Sequence, residues 1–456
     1  MKASRPARIL SPSRLRVAVL LSLLLGGSVT ALGQEPLEQE ATEQGHTEID
    51  QINLANPEGE LVAPEASKET SPFLRDTKWS AQIRSFYFDR DKYDDTTSAA
   101  WALGGSVTYL SGYLADFFRI GATGYTSQKL WGPEDKDGSG LLKPGQEGYT
   151  ILGQLYGEFK FSDQIFGAIG AKSYNTPYLN ANDVRMTPNT FEGATVYGTL
   201  GGAEGEPKFR FGGGYISKIK QKNDDEFVPM SEAAGVGSVD RGVYVLGGNY
   251  IAGDFSIGAA EYYSSDIINI FYAESKYAFK FGENSRMTLA AQYTDQQSTG
   301  DNLLAGKSFT TNQWGVKTDL NFGGAGLLTL AYTDTADGRN MTAPWSGYPG
   351  YTSVQVKDFN RAGESATMIK GFYDFSKAGA SGLSAYALYV HGSGVKAGNY
   401  NEDETDFNLQ WNVKTGALRG LSFRLRYAYI EQRGGGDPNI NDLRFIVNYD
   451  FPRPGG

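Results

Sequence analysis

The chain has no cysteine and two histidines in 456 residues. Without thiols there is no disulfide framework and no thiolate nucleophile. With only His46 and His391, a zinc or iron centre has little to be built from, so no metal or cofactor is expected. A barrel hydrolase would have to use His391, and no serine elbow is matched to it. Asp135, Asp137, Ser139 and Gly140 imitate a calcium loop, but Gln146 stands where the closing glutamate belongs and no helices flank it. No nucleic-acid partner is expected of a chain with a formal net charge of −10. Long apolar runs are missing too. Past Leu25 nothing approaches the ~18 consecutive apolar residues that a spanning helix needs. If the mature chain crosses a membrane, it crosses as strands.

The first 33 residues have the order of a secretory leader. Lys2, Arg5, Arg8, Arg14 and Arg16 precede the apolar run Val17 to Leu25, and small residues then offer cleavage after Ala31 or Gly33. Residues 34–77 are acidic, with Lys68 and Arg75 their only cations and Pro36, Pro57, Pro64 and Pro72 interrupting any periodicity. Such a segment reads as a disordered arm, which for a secreted chain of bacterial type means a periplasmic one.

From Lys78 onward the sequence alternates with period two. Its last instance, Asn441 to Phe451, places Leu443, Phe445, Val447, Tyr449 and Phe451 on one face, with Arg444, Asn448 and Asp450 on the other. A face so fully apolar must meet oil. The pattern recurs as Trp79, Ala81, Ile83 and Tyr87 against Ser80, Gln82, Arg84 and Phe86. It recurs again as Ile151, Leu155, Phe159 and Phe161 against Gln154, Glu158 and Lys160. About ten such residues, rising ~3.3 Å each and tilted ~40°, span the ~25 Å apolar band of an outer membrane. Strands are expected to open near residues 78, 99, 115, 149, 164, 190, 207, 241, 254, 269, 286, 308, 327, 366, 382, 406, 421 and 441. The fold class is therefore all-β, a transmembrane antiparallel barrel of about eighteen strands over 78–451, with a short tail at 452–456.

The connections divide into short links, such as those near Gly112, Ser162 and Gly323, and long ones, such as 128–148, 173–189 and 336–365. They alternate apart from a short connection near Ser265. A soluble sandwich has no reason to segregate its loops in this way, whereas a membrane barrel with periplasmic turns and extracellular loops does. Both termini then come out periplasmic. Trp79, Trp101, Tyr109, Tyr125, Tyr215, Tyr250, Tyr332 and Tyr449 are expected in the interfacial girdles.

The lumen is where chemistry is expected. Arg424 and Arg426 are two apart on one strand and point inward together. Lys317, Lys370, Lys414 and Arg444 sit on nearby strands, with Lys276 and Lys280 farther round. A column of cations can hand a carboxylate from station to station, since guanidinium binds it bidentately without a deep trap. Two long loops are built to fold inward: 173–189, stiffened by Pro177 and Pro188, and 336–365, rich in Trp, Tyr, Pro and Gly.

Several segments carry a family resemblance: SFYFDRD at 85–91, NTPYLNANDVRMTPNTFEG at 175–193, PWSGYPGYTS at 344–353, DFNRAGE at 358–364, and the final strand ending in Phe451. The chain resembles the OprD-type substrate-specific porins of bacterial outer membranes from Lys78 on. That resemblance implies a barrel narrowed by its third and seventh loops, with a basic ladder facing an acidic or carbonyl surface. It also implies passive uptake of small carboxylate-bearing solutes such as amino acids and aromatic or aliphatic acids. Arg424, Arg426, Arg444 and Lys317, with Lys370 and Lys414, would guide the carboxylate, while Tyr178, Asp183, Arg185, Asp358 and Arg361 shape the constriction. Phe451 would be the signal read by the barrel assembly machinery. Outer-membrane lipid and lipopolysaccharide are the expected surroundings, with monomer and trimer both open. A weakly selective diffusion porin is the alternative, and a barrel enzyme or adhesin the reading from another class.

Overall fold

The computed structural model describes residues 71–451 apart from 204, 205, 283, 397, 399 and 435–437. The leader, most of the acidic arm and the tail lie outside the described residues. Among those described, eighteen wall strands, from Lys78–Asp91 to Asn439–Asp450, each pair antiparallel with the next. The first and last close the ring, in register from Gln82 opposite Asp450 to Asp91 opposite Asn441. Closure removes both sheet edges, so every wall strand has two hydrogen-bonded neighbours.

Alternation decides which side of the wall each residue takes. Trp79, Ile83, Leu246, Trp411, Leu425 and Phe445 are exposed on the outer face, while Phe86, Phe88, Arg426 and Arg444 are buried within. An exposed belt of this kind is stable only against lipid. The parity shifts once in the strand Tyr149–Lys160: the register slips beside Thr123 and Gly124, so Leu152 and Leu155, three residues apart, both face out. One residue is therefore extra on that strand. The expectation for Ile151 fails for this reason, and that for Tyr125 because the unbroken alternation of its own strand, Phe118–Trp131, sets it inward with Thr123 and Ser127. The two are cross-strand partners on the inner side, where Tyr125 is buried and its hydroxyl accepts from Gln154 Nε2 at 2.6 Å.

Strand starts fall close to their expected positions, with one instructive departure. The strand expected from 406 begins at Asn401 and ends at Asn412, which leaves Val413 and Lys414 in the following turn. Ahead of the wall, Pro72–Arg75 forms one helical turn whose Phe73 carbonyl accepts from Gly112 N at 3.0 Å. A Cβ at Gly112 would stand 2.1 Å from the Pro72 carbonyl oxygen, so only glycine allows this approach.

Phe451 lies at the same end of the barrel, exposed on the outer face against Tyr449 with ring centroids 4.9 Å apart. Its backbone N–H donates to Ala81 O at 3.1 Å, a bond any residue there could make. Phe451→Ala is therefore expected to leave conductance of assembled barrels unchanged and to lower the folded amount recovered from outer membranes. Normal yield by heat-modifiability on gels would refute an assembly role.

Candidate functional site: a cation-lined constriction

The interior is not an open tube. Tyr174, Tyr178 and Leu179 of the third long loop pack with Trp345 and Tyr348 of the seventh and with Tyr262, Tyr272 and Ile270 of the wall, all buried in one cluster. Tyr178 is its centre, edge-on to Tyr262, Tyr272 and Tyr348 at 5.9, 6.2 and 6.2 Å. Pairs in this geometry add to the burial of area itself. Burial pushes the Tyr178 hydroxyl above its ordinary range. Trp345 Nε1 donates to Met230 O at 2.9 Å and Tyr348 OH to Gln313 Oε1 at 2.8 Å, so the polar edges of this aromatic mass are satisfied. One sector of the lumen is thereby filled, and a solute is left the opposite wall.

The tip of the seventh loop is held against that wall by carboxylates. Backbone N–H groups of Val356 and Lys357 both donate to Glu404 at 2.8 Å, and that of Gln355 donates to Asp406 at 3.1 Å. The Gln355 side chain reaches Asp442 at 2.8 Å, while its carbonyl accepts from Arg444 Nη2 at 3.1 Å. This explains the early start at Asn401: Glu404 and Asp406 are wall residues whose oxygens meet a loop and not water. The Lys357 side chain adds an ion pair to Glu402, and at the loop's base Arg361 pairs with Glu364.

The third loop is fixed from the other side. Arg84 forks onto both Asp183 oxygens at 2.7 and 2.9 Å, donates to Arg185 O at 2.6 Å, and sends Nε to Asn448 Oδ1 at 3.0 Å. A planar donor fork suits this task because one side chain fixes two strands and a loop together.

Between the two loops lies a cavity of about 490 Å³, lined among others by Arg90, Arg185, Lys222, Asp358, Arg426 and Arg444. Arg426 and Arg444 are cross-strand partners, and Arg444 is partnered on its other side by Phe88. Asp442 accepts from Arg90 Nε and Arg444 Nε, each at 2.6 Å. Arg426 is 4% exposed, gives Nη2 to Tyr386 OH at 3.3 Å, and keeps Nε buried without a hydrogen-bond partner among the described residues. Burial, helped by Arg185 and opposed by Asp358, pulls the Lys222 ammonium down to about 8. Burial likewise pushes the Asp358 carboxyl up, against the Ser353 hydroxyl that donates to it at 2.6 Å.

Along the same wall, Arg424 donates to Asn408 Oδ1 at 2.7 Å, Lys370 lies over Tyr386 at 4.6 Å, and Lys317 lies over Tyr351 at 5.1 Å. Of the expected ladder, Arg424, Arg426, Arg444, Lys370 and Lys317 share one inner surface. Lys414 stands apart, exposed in the turn after Asn412. Of the expected constriction residues, Arg185 and Asp358 face the cavity; Tyr178 is core, Asp183 is occupied by Arg84, and Arg361 braces the loop base. Arg84, Arg90, Lys222, Glu404 and Asp442 were not singled out from sequence. The parity of Phe86, Phe88 and Arg90 could have indicated Arg90, whereas Lys222 follows no periodic signal.

A family profile described as outer membrane porin, OprD family, matches residues 71–453, most of the chain. The chain belongs to the OprD family. Porin D of Pseudomonas aeruginosa is 24% identical over 433 residues, covering 84% of this chain and 92% of that protein. The porin-like protein GalP of Pseudomonas putida is 22% identical over 407 residues, covering 83% and 92%. Among solved structures, OccK9 (OpdG) of P. aeruginosa aligns with a TM-score of 0.75 at 24% identity, over 84% of this chain and all of that one. OpdK of the same organism, crystallised with vanillate, aligns with a TM-score of 0.72 at 21% identity, over 83% and 99%. OprD-family membership makes this an outer-membrane porin, and the aligned barrels share its fold.

Proposed function

We propose that this OprD-family barrel is a passive, substrate-selective channel for small carboxylate-bearing solutes. The observation that carries the reading is Arg426: a guanidinium almost wholly buried, facing the cavity, with a donor unused and no ion-pair partner among the described residues. A buried charged donor left unpaired is costly unless an anion visits it. Arg424, Lys370 and Lys317 continue the cationic surface, so an anion leaving Arg426 meets further cations. That OpdK was crystallised with vanillate, an aromatic carboxylate, supports the same class of solute. In this reading both termini and the acidic arm are periplasmic, the long loops face outward among lipopolysaccharide, and Phe451 is presented to the assembly machinery. No catalytic role is proposed.

The test is uptake into liposomes carrying the full-length mature protein, with a carboxylate and a neutral sugar of matched size followed in the same vesicles. Each arginine contact is a charge-assisted hydrogen bond of ~1.5–3 kcal/mol before desolvation. Arg424→Gln with Arg426→Gln is therefore expected to cut carboxylate uptake at low concentration by about tenfold or more and to leave the sugar unchanged. Equal reduction of both would mean that the arginines set pore width only. Equal uptake of both by the unaltered channel would make it a weakly selective porin.

A further inference from the structure

Three guanidinium groups gather on one phenyl ring. Phe88 is 1% exposed, and the guanidinium carbons of Arg90, Arg185 and Arg444 stand 5.2, 5.0 and 5.5 Å from its centroid. A ring face attracts one cation readily, but three so close repel one another unless carboxylates intervene. Asp442 serves two of them. Arg185 directs Nε and Nη1 to the backbone oxygens of Ser139 and Val184, at 2.9 and 2.8 Å, and has no ion pair among the described residues. Lys222 and Arg426 face the same cavity, likewise without one.

Little stands against this surplus. Glu404 and Asp406 lie behind the seventh-loop tip, accepting its backbone N–H groups. Among the described residues that line the cavity, Asp358 is the one carboxyl group, and its burial works against ionisation. The cations without an ion pair among the described residues come from three separate elements: the wall strand Leu421–Arg433, the third loop, and the segment after Lys220. One carboxylate cannot serve them all.

We propose that the solute this constriction is built to pass is a small dicarboxylate, one end held on Arg426 and the other between Arg185 and Lys222. The proposal rests on the carboxylate-channel reading and narrows it. A monocarboxylate leaves part of the surplus unanswered. An amino acid brings an ammonium group into a cavity whose described lining offers it one carboxyl group, Asp358. A volume of about 490 Å³ accommodates two carboxylates several bonds apart.

The experiment measures concentration-dependent flux through the full-length mature protein in liposomes for four solutes of matched length: a four-carbon dicarboxylate, a four-carbon monocarboxylate, a zwitterionic amino acid and an uncharged diol. The expected result is half-saturation by the dicarboxylate at a concentration about tenfold below that of the monocarboxylate, the value of one added charge-assisted contact. Arg185→Gln and Lys222→Gln should each bring the two within about twofold. Arg185 also anchors its loop, so Lys222 is the cleaner variant: its hydrogen bonds are made by its backbone. A dicarboxylate no better than the monocarboxylate, with both above the diol, overturns the proposal and leaves the carboxylate channel standing. Charged solutes no better than the diol overturn both. Variants that keep the original ratio overturn the assignment to these residues.

Discussion

Replacing Glu404 and Asp406 together by Ala should raise single-channel conductance and neutral-sugar flux several-fold while the barrel itself stays folded. The two side chains accept three backbone N–H groups from Gln355, Val356 and Lys357. A hydrogen bond contributes ~0.5–1.5 kcal/mol, and more where its acceptor is charged. Water in the lumen can take over part of that role, so a net loss of about 3 kcal/mol is a reasonable scale, enough to raise the released population roughly a hundredfold. Release should be confined to the tip. Trp345, Tyr348 and Tyr351 keep their partners on Met230, Gln313 and Glu274, so the aromatic mass remains in place. Thermal stability should change little, because the wall strand retains both its neighbours. The measurement is planar-bilayer conductance beside a melting curve. Unchanged conductance in a folded double variant would show that the tip is held by Gln355 on Asp442 and Arg444 instead, and the carboxylates would lose this role.

The wall of this protein was open to sequence reading because a membrane barrel states its fold in period two. Each lipid-facing residue is apolar by necessity, so the outer face could be marked from Trp79 to Phe451 without any knowledge of pairing. Where the reading slipped at Ile151, local geometry had broken the period: one extra residue opposite Gly124 sends it inward. The early start of the strand at Asn401 was missed for another reason. The run NEDET looks like a solvated loop, and only the arrival of the seventh loop, some fifty residues earlier in sequence, turns Glu404 and Asp406 into buried acceptors. The constriction was legible in composition but not in geometry. Arg185 and Asp358 lay in segments recognisable as inward-folding loops; which of their neighbours face the cavity, and which are consumed in holding the loops, depends on contacts that no spacing encodes. Asp183 shows the difference, since its carboxylate was expected at the constriction and is occupied by Arg84.

Arg84 accordingly carries the second large effect. Arg84→Ala removes both contacts to Asp183 and the contact to the Arg185 carbonyl, three bonds that hold the third-loop tip, and with them the link to Asn448 across the seam where the barrel closes. Asp183 is partly exposed, with 42% of its side chain open to solvent, so the ion pair itself is screened and contributes modestly. Geometry is the greater loss: Arg185 projects from the residue whose carbonyl Arg84 holds, and without that hold its guanidinium leaves Phe88. The expected result is a channel with stronger open-state current noise and carboxylate-over-sugar discrimination reduced by about tenfold, with conductance altered less than in the Glu404 and Asp406 variant. Arg84→Lys should not restore it, because an ammonium cannot fork onto two carboxylate oxygens while donating to a carbonyl and an amide. Rescue by lysine would mean that charge alone matters at residue 84. Quiet currents with intact discrimination in Arg84→Ala would mean that the third loop is positioned by its aromatic half, through Tyr178, and that the arginine fork is dispensable.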